Sequence, residues 1–523
     1  MKKRTDEDTV SSIVALSTSG GNKKAWRIFD SLASSSPHLI LFTSTVLLLM
    51  YGYEIFNFSL SIDEELVNDS TWWKMYIEQG GWANAPLTRV MPSIGNIPML
   101  ATVIFCVGVG GSACIIARLI FTRWVHQFAF VAIYVTVPFW PNIAEFNISS
   151  HGTGFGLLVT TLALLLFYSE IRFKSLLTML VLTIACGFAQ TFGVLFLIGV
   201  CLRQLSPLVE ISSGTRRRFA WFSASLVYAG ALLTYLLVEI ILLKTFSLHL
   251  VHVQRSFGLS SYLHSPLSTT SAVILYIWGL VNGQHPSFLG YGVIVLALPW
   301  LGVLVLSLRI LFVASISRSQ QVEALAIFSA ALLLGLSPII VSAAVAPTRI
   351  FYTFAPILAF LTAQTFTGWR KLERALWITV GVTMFVSIWI SVSLFYTDHL
   401  ARQRDQVLAS RIMARVDQIA PDPQSRIPFV LVAATPPTTS GPFRKFEVFG
   451  DSFFDTNHYR NGNPHRVALY LQTLGIDTLE PHLFSEVNAY RSTIEAMPVW
   501  PATGSIAMVK GMLVIKLGSE LPP

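Results

Sequence analysis

The sequence predicts a polytopic α-helical membrane protein of about eleven spans that ends in a small external α+β domain. Three observations carry this. The 523-residue chain is 53% hydrophobic and only 12% charged, with a mean hydropathy of +0.61, more apolar surface than a soluble domain can bury. Apolar runs near membrane-spanning length recur up to Tyr396. From Thr397 onward the composition changes to short apolar stretches set among charged residues, Pro and Gly. The chain therefore divides into a tail (residues 1–36), a membrane region (37–396) and a C-terminal domain (397–523).

Taken in order, the tail carries Ser, Thr, Gly and mixed charge, which suits a flexible segment with no core. The first apolar run, residues 38–58, is too long and too poorly flanked by small residues for a cleaved signal, and predicts a retained anchor. Further spans are predicted at 94–117, 125–140, 153–168, 175–188, 191–202, 219–243, 291–313, 324–345, 354–368 and 376–396. Several are short, and residues 176–202 also fit one broken hairpin. Residues 271–281 are apolar but too short to cross, and predict an interfacial or re-entrant piece. All four cysteines, Cys106, Cys114, Cys186 and Cys201, fall inside spans, so thiol packing is expected and no disulfide framework.

Basic residues near span ends are retained on the cytoplasmic side. The tail carries Lys2, Lys3, Arg4, Lys23, Lys24 and Arg27. Alternate loops carry Arg118, Arg123, Arg172, Lys174, Arg203, Arg216–Arg218, Arg309, Arg318, Arg370, Lys371 and Arg374. The opposite loops hold only Lys74, Arg89, Lys244, Arg255 and Arg349. The N-terminus is thus expected in the cytoplasm and everything after Tyr396 outside. The formal charge of +8 follows mainly from topology and does not call for a nucleic-acid partner.

In the C-terminal domain, residues 402–419 interleave charges with Val407, Leu408, Ile412 and Val416 and predict a helix stopped by Pro421 and Pro423. Residues 427–433 predict a strand, 435–442 a loop, 467–474 a helix closed by Gly475, and 506–517 a hairpin about Lys510-Gly511.

Asp63, Glu64 and Glu65 follow the first span directly. Carboxylates at the water edge of a bilayer are where an integral membrane enzyme needs a base facing a lipid-linked substrate. Sugar transfer to a hydroxyl requires such a base and cations that stabilise a departing phosphate. Successive side chains on a helix diverge by about 100°, so the three acids cannot share one site. Asp63, nearest the span, is the leading candidate for base and Glu64 its main competitor. The other reading makes all three solvated charges at the start of the next helix.

Trp72, Trp73, Tyr76 and Trp82 suit a helix in the headgroup plane near an emerging polyprenyl tail, or an aromatic belt with no substrate role. Arg349 and Arg89, with Arg255 and Lys244 behind them, are placed to grip a phosphate, unless they only snorkel. Glu145, at the outer end of the third span, needs a partner or water, which a substrate hydroxyl or an arginine would supply. His151 is external too. No spacing among the histidines matches a metal site, and none is expected.

The words Leu60-Ser61-Ile62-Asp63-Glu64-Glu65, Glu78-Gln79-Gly80-Gly81-Trp82, Phe449-Gly450-Asp451-Ser452-Phe453-Phe454 and Trp500-Pro501-Ala502-Thr503-Gly504-Ser505-Ile506 resemble the Gtr-type O-antigen glucosyltransferases of the GT-C superfamily. The likeness runs from about Ile40 onward. Where that family leads one to expect Gly-Arg-Trp, this chain has Gly80-Gly81-Trp82, so a cation is missing that Arg89 would have to replace.

The resemblance implies a GT-C-like bacterial inner-membrane enzyme with a periplasmic active site. It would move glucose, with inversion, from a polyprenyl-phosphate-glucose donor to lipid-linked O-antigen, modifying lipopolysaccharide. A small flippase and a carrier-charging glucosyltransferase would be its partners, and the lipid-linked donor is a substrate, so no cofactor is implied. Asp63, Glu64 and Glu145 would be catalytic. Arg349, Arg89 and Arg255 would bind the donor phosphate, and Glu65, Trp72, Trp82 and His151 the substrate. Three alternatives stay open: a GT-C transferase of another sugar, a non-enzymatic lipid or polysaccharide flippase, and a non-catalytic scaffold or polymerase-type membrane protein. The flippase should show matched halves with broken helices, and no such symmetry is evident.

Overall fold

The computed structural model describes residues 37–90, 97, 99–210, 220–250, 258–312, 317–344, 347–367, 370–420, 426–433, 446–454 and 463–521. The tail, Arg216–Arg218, Arg255, Pro421, Pro423 and the expected loop at 435–442 lie outside the described residues.

The membrane region is almost wholly helical. Its principal helices are α1 (Pro37–Phe56), α2 (Leu100–Ile120), α3 (Trp124–Thr136), α4 (Asn147–Tyr168), α5 (Lys174–Phe188), α6 (Thr191–Glu210), α7 (Ala220–Phe246), α8 (Pro266–Val281), α9 (Gly292–Phe312), α10 (Arg318–Val341), α11 (Ala355–Thr365) and α12 (Glu373–Ile419). Among the described residues seven of these, α1, α2, α4, α7, α9, α10 and α12, are long and apolar enough to cross a membrane, against about eleven expected. Much of the difference lies in short apolar helices such as α3 and α5. Residues 174–210 form two helices broken at Ala189-Gln190. The expected re-entrant piece at 271–281 begins earlier and forms the 16-residue α8, with Pro266 in its first turn.

Small residues decide how closely the helices pack. A Cβ added at Gly108 of α2 would lie 2.3 Å from the Gly154 backbone of α4, so only paired glycines let these helices touch there. The contact lies about two turns into α4, whose first residue stands beside the acid loop.

The last span does not stop at the water. α12 runs on for 47 residues, about 70 Å at 1.5 Å per residue, more than twice the ~30 Å hydrocarbon core. Its buried face is one stripe: Val380, Thr383, Ser387, Ile390 and Leu394, then Asp398, Arg402, Asp405, Ala409, Ile412 and Val416. The expected face through Val407 is corrected, since Val407 is exposed and Asp405 and Ala409 point inward.

Beyond α12 lies a four-stranded sheet in the order β2-β1-β4-β3, formed by Ile427–Val432 (β1), Leu479–Pro481 (β2), Ile506–Val509 (β3) and Met512–Lys516 (β4). β1 pairs in parallel with β2 and β4, while β3 and β4 are antiparallel. The β3–β4 turn sits where expected, with Lys510 at φ 52° and Gly511 at φ 85°, the two positive values that a tight hairpin demands. One helix, α13 (Pro464–Thr473), joins Ile412, Phe429, Phe453, Tyr470 and Leu513 in the core. Ile62, from the loop after the first span, is buried in this same core.

Candidate active site

The loop after α1 is held from four sides. Ser59 Oγ donates to Asp398 Oδ2 of α12 at 3.4 Å. The Ser61 hydroxyl donates to Glu145 Oε1 at 3.2 Å. Ile62 contributes its side chain to the C-terminal core, a burial worth ~1.5–3 kcal/mol. A 3-10 turn, Glu64–Asn68, follows, and Asp63 before it adopts φ 82° and ψ −14°, the left-handed region that a residue with a Cβ seldom occupies. This turn makes the three acids diverge, as the sequence implies, but each into a different setting.

Glu64 is fully buried. Its Oε2 accepts from the Ser61 amide at 2.8 Å and its Oε1 from the Asn147 amide at 2.7 Å, so it stitches the loop to the N-terminus of α4, where a carboxylate also meets the helix dipole. Burial drives its carboxyl well above the ordinary range, and the two amides oppose that rise. Glu65, equally buried, meets the Arg466 guanidinium of α13, whose Nε donates to Oε1. Burial raises its carboxyl as well, against the pull of Arg466. Asp63 accepts from Arg466 Nη2 at 2.7 Å and keeps 37% of its side chain exposed, so of the three it alone faces water. Glu145 is buried beside the loop, its carboxyl pushed well up first by burial and then by Asp398. Its Oε2 has no hydrogen-bond partner among the described residues. The reading of solvated charges is thus corrected for Glu64 and Glu65, which the fold buries.

The other expected site residues fall on two sides of this loop. Arg349 is exposed, with its guanidinium 4.8 Å from the ring centroid of Phe146, the residue between Glu145 and Asn147. His151 is buried one turn into α4, with Nδ1 3.3 Å from the Asn147 carbonyl. Trp72 is buried with its ring edge-on to Tyr76, whose hydroxyl donates to the Ile148 carbonyl at 2.6 Å. Trp82 packs against Gly187. Arg89 lies over Trp73, with 5.1 Å from guanidinium to ring centroid, and Trp73 meets Phe246 at the end of α7. The structure therefore brings Asp63, Glu64, Glu65, Glu145 and Arg349 into one neighbourhood and sets Arg89 beside the short helix Trp72–Glu78.

Five charged groups at or near the site were not singled out from the sequence. Arg466 has no local signal, being 403 residues from Asp63. Arg402 and Asp398 are buried on α12, where Arg402 Nη1 reaches Asp405 at 2.9 Å and Nη2 lies 3.8 Å from Asp398. Here the signal was available in the spacing of 398, 402, 405, 409 and 412, one helical stripe. The word Phe449–Phe454 wraps this cluster: the Gly450 amide reaches Asp398, the Asp451 carbonyl takes Arg402, and the Phe453 amide reaches Asp405. Glu54, buried inside α1, was legible as an ionisable residue within a span.

No curated protein and no solved structure matches the chain. A family model described as Glucosyl transferase GtrII matches residues 52–363, more than half of the chain. The match covers Asp63, Glu64, Glu65, Glu145 and Arg349 and ends before Asp398, Arg402 and Arg466. With its apolar helices and an acid loop lodged where the first span ends, the chain belongs to the GtrII glucosyl transferase family.

Proposed function

We propose that the chain is an inner-membrane enzyme that moves glucose from polyprenyl-phosphate-glucose to lipid-linked O-antigen on the periplasmic face, with inversion at the anomeric carbon. The observation that carries this reading is Asp63. It is a carboxylate in a left-handed backbone position at the end of the first span, open to water while its neighbours are buried in the protein. Asp63 takes the proton of the acceptor hydroxyl as the oxygen attacks the anomeric carbon and polyprenyl phosphate leaves. Glu64 and Glu65 hold the loop, and Glu145 offers a free oxygen to a substrate hydroxyl. Arg349 grips the donor phosphate, with Arg89 and Arg255 as further cations, and Trp72, Trp82 and His151 shape the substrate side. The N-terminus then lies in the cytoplasm and α13 with its sheet in the periplasm. A flippase and a carrier-charging glucosyltransferase supply the donor.

Glycosyl-linkage analysis of lipopolysaccharide tests this in cells that lack the chain, carry it, or carry Asp63→Asn. A glucose branch should appear only with the parent chain. A branch that persists in cells unable to make polyprenyl-phosphate-glucose would rule out the donor.

A further inference from the structure

One guanidinium joins the acid loop to the C-terminal sheet. Arg466 sits in the first turn of α13, where Pro464 and the Asn463 side chain, which accepts from the Arg466 amide at 3.2 Å, fix how its side chain leaves the helix. Nη2 then donates to Asp63 and Nε to Glu65. Relative side-chain exposures are 13% for Arg466, 37% for Asp63 and 0% for Glu65. The edge of the cation that carries Nε and Nη2 is therefore pinned to a carboxylate that never meets water, which gives the Nη2 arm a fixed direction. Asp63 lies at the end of that arm.

We propose that Arg466 is the positioning residue of the base: its bridge to Glu65 and Asp63 aims the Asp63 carboxylate at the acceptor hydroxyl. The proposal rests on the assignment of Asp63 as base. A guanidinium is a planar fork whose arms engage two carboxylates at once, and the ammonium of lysine supplies the charge without the fork. Arg466 itself neither gives nor takes a proton in the step. It lies outside residues 52–363, so the aim of the base would be set by a part of the chain that the family match does not include.

The test uses the purified full chain with undecaprenyl-phosphate-glucose and lipid-linked O-antigen, following kcat and KM separately. Arg466→Met should lower kcat by ~10²-fold, the usual cost of a misplaced reacting group, with the donor KM little changed. Arg466→Lys should restore only part of the rate, because lysine keeps the charge without the fork. Because Arg466→Met strands Glu65 as a buried unpaired charge, the double variant Arg466→Met/Glu65→Gln is included. It should regain thermal stability and stay slow. A folded double variant with parent kcat overturns the proposal. Asp63→Asn separates the two claims: inactive Asp63→Asn beside a parent-like double variant rejects the role of Arg466 alone, whereas active Asp63→Asn rejects the base as well.

Discussion

Glu64→Gln and Asp63→Asn should fail in different ways, although they alter adjacent acids by the same chemical change. The Glu64 carboxylate accepts two backbone N–H bonds, at 2.8 Å from Ser61 and 2.7 Å from Asn147, in a site without water access. The amide of glutamine keeps one acceptor and turns the other position into a donor facing an N–H. One bond to a charged acceptor is lost, worth ~1.5–3 kcal/mol, and a buried amide is left unsatisfied at ~1–3 kcal/mol. Since the two figures overlap, a net loss of about 3 kcal/mol is expected, along with a lower Tm. Asp63→Asn keeps a polar, partly exposed side chain and should leave Tm near the parent value, while turnover drops by ~10²–10⁴-fold. Detergent-purified chains followed by thermal unfolding, with transfer assayed well below both midpoints, separate the effects. If Glu64→Gln keeps the parent Tm but loses turnover, Glu64 is the base and its reading as an anchor is wrong.

Further outcomes follow from other residues. Arg349→Ala should weaken donor binding and leave little transfer, with Arg349→Lys intermediate, because lysine keeps the charge without the fork; parent-like donor binding in Arg349→Ala moves the phosphate grip elsewhere. His285 lies between α8 and α9, with Nε2 2.9 Å from the Tyr276 hydroxyl and Nδ1 2.8 Å from Ser287 Oγ, and burial lowers its pKa to about 4. The unfolded chain binds that proton near pH 6.5 and the folded chain only near 4, so stability should fall as pH drops through this window, by at most ~3 kcal/mol. A Tm flat across that window, or a slope that His285→Gln leaves unchanged, removes His285 as the cause. A periplasm-only reporter fused after Tyr396 should be active and one fused after Arg318 silent; the opposite pattern reverses the faces.

What the sequence disclosed depended on how local the signal was. The hairpin at Lys510-Gly511, the helix before Gly475 and the strand at 427 were legible because turn residues and short periods sit next to each other. The acids at 63–65 were legible as a site and illegible as individuals, since the turn that sends Glu64 to Asn147 and Glu65 to Arg466 is fixed by partners 83 and 401 residues away. Short apolar helices such as α3 and α5 mislead a length criterion, because helix neighbours hide what lipid would otherwise have to cover. On α12 the charges of Asp398, Arg402 and Asp405 suggest a solvated face, yet they share a stripe with Ala409, Ile412 and Val416 and are buried by the loops that wrap them.

That stripe also sets an angle. Because α12 is uninterrupted from Glu373 to Ile419, the rotational phase of its membrane half is passed unchanged to the half that carries the sheet. One residue inserted near Tyr396 would turn the outer half by ~100° and lift it ~1.5 Å, taking Arg402 out of the Phe449–Phe454 wrap and carrying α13, with Arg466, away from the acid loop. Seven inserted residues would return the phase to within ~20° while lifting the outer half by ~10 Å. The helix thus works as an indexed shaft, in which rotation and height are separate settings and the acid loop engages at one combination of the two.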